Sequence, residues 1–399
     1  MRYAIPFVVC ALIITVASDA AAQSYTVHPL LQAQFHPFFD QEEINNALQV
    51  VKYGDRRIWD RSPQPRGLPI PAGEITRVHI NNAGIIAGAR ELGPGRAELF
   101  TIENGQYIPR PVPIANPYIS EFTDSGIILA QDQTTETSWI IQGSSVQQLE
   151  ERAFEMNDAG ALISWKYIWF PSGRRVEAWP ESAPIRVIGP SGHVAGGQCD
   201  ATGCTVLYAR PDLVTARYRF GLGLNSIFSM DLNRAGELVA TVEQNLIFSR
   251  RVANFVYRDG PIIDLNAVMI PRGWLVCDTR GITDQGAILA TAMSEERLRF
   301  GLGCQLVVLY PDPPAAPENF VANVSGRVVG LNWHSGDDVR DHIIEVGSAP
   351  GASNLLRMSI GPKQSVASPA PPGRYYVRLR AVNGVATSAP SAEVVVDVP

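Results

Sequence analysis

Ile80-Asn-Asn-Ala-Gly84-Ile-Ile-Ala-Gly88 is an apolar residue, a short polar turn ending in Gly, and a second apolar run. The same phrase returns as Phe122-Thr-Asp-Ser-Gly126-Ile-Ile-Leu-Ala130, Met156-Asn-Asp-Ala-Gly160-Ala-Leu-Ile and Ile188-Gly-Pro-Ser-Gly192-His-Val-Ala-Gly196. It returns again as Leu232-Asn-Arg-Ala-Gly236-Glu-Leu-Val-Ala240 and Ile282-Thr-Asp-Gln-Gly286-Ala-Ile-Leu-Ala290. Strand-forming residues around a tight turn, repeating about every forty residues, are the signature of a β-propeller, in which each repeat is one small sheet stacked on its neighbours.

The clearest copy supplies a whole unit. Ile75 to Ile80 reads as a strand, Ile85 to Gly88 as a second and Ala97 to Ile102 as a third. Asn104-Gly105 then turns the chain into a fourth strand at Gln106 to Val112. Asn-Gly marks a hairpin because both central residues of a type I′ turn need positive φ. Comparable corners are Gln142-Gly143, Pro171-Ser-Gly173 and Asp259-Gly260.

A seventh, degenerate copy precedes the six at Ile44-Asn-Asn-Ala-Leu48, with a short helix over Gln41 to Val51 as the alternative. The last copy stops after its third strand, at Gln305 to Tyr310. A missing outer strand there invites completion by the N-terminal segment near Ser24 to His28, which hides two exposed sheet edges. Seven blades are preferred, with six possible.

Two recurring columns invite a functional reading. Trp59, Phe100, Trp139, Trp169, Tyr208, Tyr257 and Tyr310 precede the second turn. They are read as filling the space between blades, because one repeat position usually serves the stacking every repeat must satisfy. Asp124, Asp158 and Asp284 fall at equivalent places in the first turn. They are read as turn residues, since Asp and Asn bond nearby backbone and tolerate tight turns.

The N-terminus carries Arg2, an apolar run from Tyr3 to Val16 and Ala20-Ala21-Ala22, the pattern of a secretory signal cut after Ala22. The run is shorter than the roughly 20 residues a spanning helix needs. A soluble, exported chain, secreted or periplasmic and not membrane-embedded, is therefore expected. The net charge of −6 argues against a nucleic-acid partner. Only 18% of residues are charged, while Gly (34) and Pro (30) are plentiful, which suits a chain of many turns and few helices.

Four cysteines remain beyond the signal, and in an exported chain disulfides are the default. The expected pairs are Cys199 with Cys204 and Cys277 with Cys304, because each bridge then stays local. Zinc is the alternative, weakened by His193 being the one histidine close in sequence to any of the four.

After Pro311-Asp-Pro-Pro314 the pattern becomes short alternating strands: Phe320 to Val324, Val328 to Trp333, His342 to Gly347, Leu355 to Ile360, Arg374 to Val382 and Ala392 to Val398. Pro317-Glu-Asn-Phe320, Leu331-Asn-Trp333, Tyr375-Tyr-Val-Arg-Leu-Arg-Ala381-Val-Asn383 and Ser388-Ala-Pro-Ser391 resemble a fibronectin type III domain. That resemblance implies a core Trp333 and a corner hydrogen bond from Tyr375, and a spacer or binding module rather than catalysis. Alternation places Val377, Leu379 and Ala381 with Tyr375 on the buried face.

The repeats in turn resemble the extracellular HAF family, whose unit is an Asn-x-x-Gly turn, an apolar strand and an aromatic before an Asp-Gly or Asn-Gly corner. The His-Ala-Phe triplet of that family is absent. The resemblance implies a bacterial exported propeller and no settled activity. The expected fold is thus all-β: a signal peptide over 1–22, a β-propeller over 23–311, a Pro-rich linker over 312–315 and a fibronectin type III-like sandwich over 316–399.

No Gly-x-Ser-x-Gly elbow, His-Glu-x-x-His helix or phosphate-cradling loop occurs. The phrase Arg-Phe-Gly-Leu-Gly, at Arg219 to Gly223 and Arg299 to Gly303, reads as a loop common to two repeats. No catalytic, cofactor or metal residue is nominated, and no cofactor is expected. The leading expectation is a non-enzymatic propeller presenting a face to a polysaccharide or a cell-surface protein. The alternative is a polysaccharide-degrading hydrolase or lyase. Two facing carboxylates with a basic residue in one pocket would favour the enzyme, and a shallow aromatic face would favour binding.

Overall fold

The computed structural model describes residues 25–30, 42–52, 56–60, 65–179, 183–212, 215–220, 226–246, 249–257, 262–270, 273–300, 303–336, 339, 341–382 and 387–399. The signal segment, the Asp259-Gly260 corner and Gly221-Leu-Gly223 lie outside them. Among the described residues strand dominates, with two short helices at Leu265–Val268 and Glu295–Phe300. The chain separates into two compact units, one built from Val27–Ala267 and Pro271–Leu309, the other mainly from Tyr310–Pro399.

The fold of the first region is a seven-bladed β-propeller. Blade 1 is Glu42–Ile44, Gln49–Lys52, Arg57–Asp60 and Arg66–Gly67, so the degenerate copy is a blade and the helix alternative fails. Blade 2 runs Ile75–Ile80, Ile86–Gly93, Arg96–Glu103 and Gln106–Arg110, and blade 3 runs Pro117–Phe122, Ile128–Asp132, Ser138–Gln142 and Ser145–Gln148. Blades 4, 5 and 6 open on Glu155–Met156, Ile185–Ile188 and Ser226–Leu232, and each has four antiparallel strands in sequence order. Blade 7 opens on Trp274–Ile282, followed by Ile288–Ser294 and Gln305–Pro311. Its fourth strand is Tyr25–Pro29, as the missing outer strand required, and Met269–Ile270 adds a fifth in parallel. The innermost strands contact one another in succession, blade 1 on blade 2 and onward to blade 7, which packs back on blade 1.

The turn chemistry explains the repeat. The six phrase glycines, Gly84, Gly126, Gly160, Gly192, Gly236 and Gly286, all have φ between 75° and 86°, the left-handed region where a Cβ is penalised. Leu48 occupies the same place in blade 1 at φ 61°. At the hairpin corner Asn104 and Gly105 have φ of 51° and 74°, as a type I′ turn demands.

The aromatic column packs between blades. Phe100 is wholly buried among Val51 and Ile58 of blade 1 and Ile75 and Ile86 of blade 2. Trp139 packs on Ala87 and Leu99 of the preceding blade, and Trp169 on Leu129 of blade 3. Tyr208 lies with Leu238 and Val242 of the following blade. The Phe100 ring sits so close to Gly88 that a Cβ there would fall 2.3 Å from Cζ. Both disulfides form: Cys199 faces Cys204 across the hairpin of blade 5, and Cys277 joins Cys304 in blade 7.

The second unit is the fibronectin type III-like sandwich. One sheet is Glu318–Ser325, Val328–His334 and Ser365–Pro369. The other has the order Leu356–Ser359, Asp341–Gly347, Gly373–Val382, Val394–Val398. Trp333 is buried against Phe320 and His342. Tyr375 donates its hydroxyl to the Pro371 carbonyl at 2.9 Å, the corner bond the resemblance implied. Val377, Leu379 and Ala381 are buried. Ser365–Pro369 escaped the sequence reading, being short and polar. His342 is a satisfied core residue: one ring nitrogen meets Ser335 Oγ at 2.9 Å and the other the Gly361 carbonyl at 3.1 Å.

The phrase turn is also an interblade joint. Asn233, 1% exposed, accepts the Glu237 N–H at 2.9 Å within its own turn and donates to the Thr283 carbonyl of blade 7 at 2.9 Å. Truncating it to Ala strands buried backbone groups at both places, and about 1–3 kcal/mol of stability is expected to be lost. Asn233→Thr keeps an oxygen for the local bond, as Thr123 and Thr283 do in their turns, but loses the link to the next blade. Denaturant titration should therefore rank the parent above Asn233→Thr and Asn233→Thr above Asn233→Ala.

Candidate functional site

Two rings of polar residues surround the propeller axis, and both arise from the place where each innermost strand enters its phrase turn. The outer ring lies at the second turn position: Asn46, Asn82, Asp124, Asp158, Pro190, Arg234 and Asp284. The backbone N–H of Asn46 donates to Asn82 Oδ1, that of Asn82 to Asp124 and that of Asp124 to Asp158, each at 2.7 Å. On the far side Arg234 N–H donates to Asp284 and Asp284 N–H to Asn46, again at 2.7 Å. Pro190 brings neither an N–H nor a side-chain acceptor, so the chain of bonds stops at blade 5. Arg234 spans the interruption with its guanidinium, reaching Asp124 at 3.1 Å, Asp158 at 3.0 Å and Asp284 at 3.3 Å.

This corrects the turn reading of the three aspartates. The local turn bond belongs to the first turn position, Asn45, Asn81, Thr123, Asn157, Asn233 and Thr283. The aspartates join successive blades and hold Arg234 between them.

The inner ring lies four residues earlier than the turn's alanine or serine, at the residue before the phrase's first apolar side chain. Along a strand neighbouring side chains take opposite faces. Ile80, Phe122, Met156, Leu232 and Ile282 accordingly bury between blades. The residues before them, His79, Glu121, Glu155, Asp231 and Gly281, line an axial cavity with Glu43. A cavity of about 820 Å³ extends from this ring past Arg77, Tyr118, Ser120, Phe228 and Arg280. A smaller one, about 170 Å³, shares Glu121, Glu155 and Asp231 and reaches the outer ring.

Each inner carboxylate uses an oxygen on backbone. Glu43 accepts the Ile80 N–H at 3.1 Å, Glu155 the Ile188 N–H at 3.0 Å and Asp231 the Ile282 N–H at 2.7 Å, in each case on the following blade. Glu121 accepts its neighbour Phe122 at 3.0 Å. The Glu43 carboxylate also pairs with Nδ1 of His79. His79 is 2% exposed and its Nε2 has no hydrogen-bond partner; Ser120 Oγ, equally without one, is 7% exposed. At the mouth Arg77 stands over the Tyr118 ring at 5.7 Å and Arg280 over Phe228 at 5.6 Å.

Burial within the ring of blades pushes the Asp231 carboxyl up to about 7, with the charges of Glu121 and Glu43 adding to the effect. Burial raises Glu121 likewise to about 7, against the pull of His79 and Arg77. Glu155 is raised by burial and then by Glu121. All three keep some contact with lumen solvent, so the shifts express depth in the ring rather than complete enclosure.

None of the inner-ring residues was nominated from sequence. Their signal is a column of polar residues, Glu43, His79, Glu121, Glu155 and Asp231, visible when the phrase is begun one residue earlier. The cysteines expected to pair lie in blades 5 and 7 as disulfides and take no part in this lining.

No family model matches the chain, and no curated protein matches it. Among solved structures it is similar to a streptogramin B lyase, at 12% identity over 72% of this chain and 98% of that one, with a TM-score of 0.44. It is similar over the same share to virginiamycin B lyase from Staphylococcus aureus, 94% of which is covered, at 12% identity and a TM-score of 0.40. An Fn3-like protein from Clostridium thermocellum is similar over 22% of this chain and 96% of its own, at 22% identity and a TM-score of 0.19. Among the described residues no helix is long and apolar enough to cross a membrane.

The raised carboxyls fix a pH dependence. An unfolded carboxyl titrates near 4, so between about pH 4 and 7 the folded chain holds protons that the unfolded chain releases. Stability from these groups is therefore greatest at the acid end and declines as pH rises through that window. Glu121→Gln and Glu155→Gln, which each keep the one oxygen used on backbone, should raise the melting temperature at pH 8 while leaving it unchanged at pH 4.5. Parallel melting curves for parent and variants across that range would contradict the assignment.

Proposed function

We propose that this protein is an exported propeller that binds a saccharide at the mouth of its axial cavity without turning it over. The observation that carries the reading is the combination at that mouth of two aromatic rings, Tyr118 and Phe228, with a ring of hydrogen-bonding side chains beneath them. The C–H faces of a sugar stack on aromatic surfaces, and its hydroxyls donate to carboxylates and accept from guanidinium groups. Tyr118 is held for this by its hydroxyl on Gln131 at 2.6 Å, and Phe228 is 41% exposed.

Export, to the cell exterior or the periplasm, is supported by the signal-like residues 1–22 and by two disulfides, which persist in oxidising compartments. The sandwich unit is then a spacer or a second binding module. The division at 311 and 316, and the place of the repeats among HAF-type propellers, belong to the same proposal.

A second reading has its own observation. Carboxyl groups held protonated near neutral pH beside a carboxylate-paired imidazole are what general acid–base cleavage of a polysaccharide requires. The facing carboxylates and basic residues of the cavity are the arrangement that favours turnover, and the aromatic rings at its mouth are the one that favours binding.

Calorimetric titration with the oligosaccharides that score on a glycan array, joined to chromatography of the recovered sugar, decides between them. Tyr118→Ala and Phe228→Ala are each expected to weaken binding by about tenfold or more, as loss of a stacking anchor does, with the melting temperature unchanged in Phe228→Ala and lowered in Tyr118→Ala, which strands the buried Gln131 acceptor. Intact recovered sugar supports binding; shortened chains would move the conclusion to the hydrolase or lyase.

A further inference from the structure

The inner ring carries more acid than its neighbours neutralise. Glu43, Glu121, Glu155 and Asp231 face the lumen, where Arg77 brings one guanidinium. Arg280 is engaged by Asp278 at 2.9 Å and by Glu42 at 3.7 Å. Glu43 is spoken for on both oxygens, by His79 and the Ile80 N–H. Glu121 and Glu155 each use one oxygen on backbone, and among the described residues the second takes no hydrogen bond. Asp231 accepts backbone N–H groups on both oxygens, from Leu232 and Ile282, and offers its remaining lone pairs and its charge.

Such a ring by itself would be a cluster of like charges. What distinguishes it is the pair of buried groups beside it that face the same cavity without partners, His79 Nε2 and Ser120 Oγ. A buried polar atom left unpaired is costly, and two of them lining one cavity indicate a molecule that supplies hydrogen bonds there. The ligand implied has a positive end for the carboxylates and hydroxyl-like groups within reach of His79 and Ser120.

We propose that Glu121, Glu155 and Asp231 form a subsite for the primary ammonium group of an amino sugar, with His79 and Ser120 taking its neighbouring hydroxyls. The inference rests on the saccharide reading of the mouth and names the class of sugar. An ammonium group has three donors around one centre and meets three carboxylates from three directions, whereas a planar guanidinium fork suits one carboxylate. An N-acetylated sugar replaces those donors with a single amide N–H and a methyl group, and leaves the carboxylates unneutralised. The raised proton affinity of the same carboxyls is consistent with a site that awaits a cation.

The test uses the whole mature chain and two probes, glucosamine tetrasaccharide and its fully N-acetylated counterpart, titrated calorimetrically at pH 6.5 in buffers of different ionisation enthalpy. The glucosamine probe should bind at least about tenfold more tightly, the scale of a charge-assisted hydrogen bond, and should release protons on binding as the carboxyls ionise. Glu155→Gln keeps the oxygen that caps Ile188 and should remove most of that preference, weakening the glucosamine probe far more than the N-acetylated one. Ser120→Ala should weaken the glucosamine probe without altering proton release. Equal binding of the two probes, unchanged by Glu155→Gln, would overturn the amino-sugar subsite and leave the saccharide reading intact. Binding of neither probe would overturn the amino-sugar subsite, and absence of binding to any glycan on the array would overturn the saccharide reading as well. A melting profile matching the parent at pH 4.5 verifies that each variant is folded.

Discussion

The propeller depends on one joint, made where an innermost strand enters its phrase turn. A buried turn exposes backbone N–H and C=O groups that no sheet ladder reaches, and each must be paired. Here the first turn residue closes its own turn through a side-chain oxygen. Where it is Asn it also donates to the next blade: Asn45 to the Asn81 carbonyl, Asn81 to Thr123, Asn157 to Gly189 and Asn233 to Thr283. The second residue accepts an N–H from the blade before. Local conformation and blade stacking are thus satisfied by the same two positions, which is why both recur while the outer strands vary freely in length. Blade 5 shows the converse. With Gly189 and Pro190 it offers no side-chain acceptor at either position, and the long side chain of Arg234 restores continuity across the gap. A Lys there would bring a single point charge to three carboxylates that the guanidinium meets through two nitrogens, Nη2 for Asp124 and Asp158 and Nε for Asp284.

The candidate site is a by-product of that joint. The residue before the phrase has to face the lumen, because its successor must bury between blades. A carboxylate at that place reaches forward to cap a strand N–H on the following blade, as Glu43, Glu155 and Asp231 do. The acids are therefore fixed by scaffold duty before any ligand arrives, Glu43 and Glu155 through one oxygen on backbone and Asp231 through both, and their positions are preorganised by backbone rather than by loops. Gly281, the blade 7 member of the column, leaves room for Asp231, whose Oδ2 would stand 3.4 Å from a Cβ placed there.

The parts of this architecture that could be read from sequence were those with a local physical signature. Positive φ demands Gly, so the six turns announced themselves. Asn104-Gly105 marked its hairpin, and Trp333 and Tyr375 marked the sandwich. Leu48 shows the limit of that logic: it holds a left-handed turn without the glycine, and blade 1 was recognisable only from the strands after it. The two-residue strand Met269–Ile270 carries no pattern of its own; it exists because Tyr25–Pro29 offers it an edge. The inner ring was illegible for a different reason. Glu43, His79, Glu121, Glu155 and Asp231 lie one to a blade, and an isolated acid at a strand end has no meaning until closure brings four of them and an imidazole to one axis. The outer aspartates were noticed as a column yet read as local, since sequence cannot show that a side chain reaches the next blade rather than its own turn.

The sevenfold scaffold and its sixfold-or-less lining have opposite consequences for recognition. Blades repeat because every blade must stack, and stacking residues such as Phe100 and Tyr208 are accordingly alike. The lumen obeys no such demand: acids come from blades 1, 3, 4 and 6, an imidazole from blade 2 and a bare backbone from Gly281, while Val187 at the equivalent place in blade 5 packs into the apolar core shared with blade 6. A lining that served stacking alone would have no reason to depart from the repeat, and buried acids weaken the fold wherever they must ionise. That cost is offset in part by the strand N–H groups that Glu43, Glu155 and Asp231 cap on the following blade, so the same side chains that line the cavity also tie the blades together.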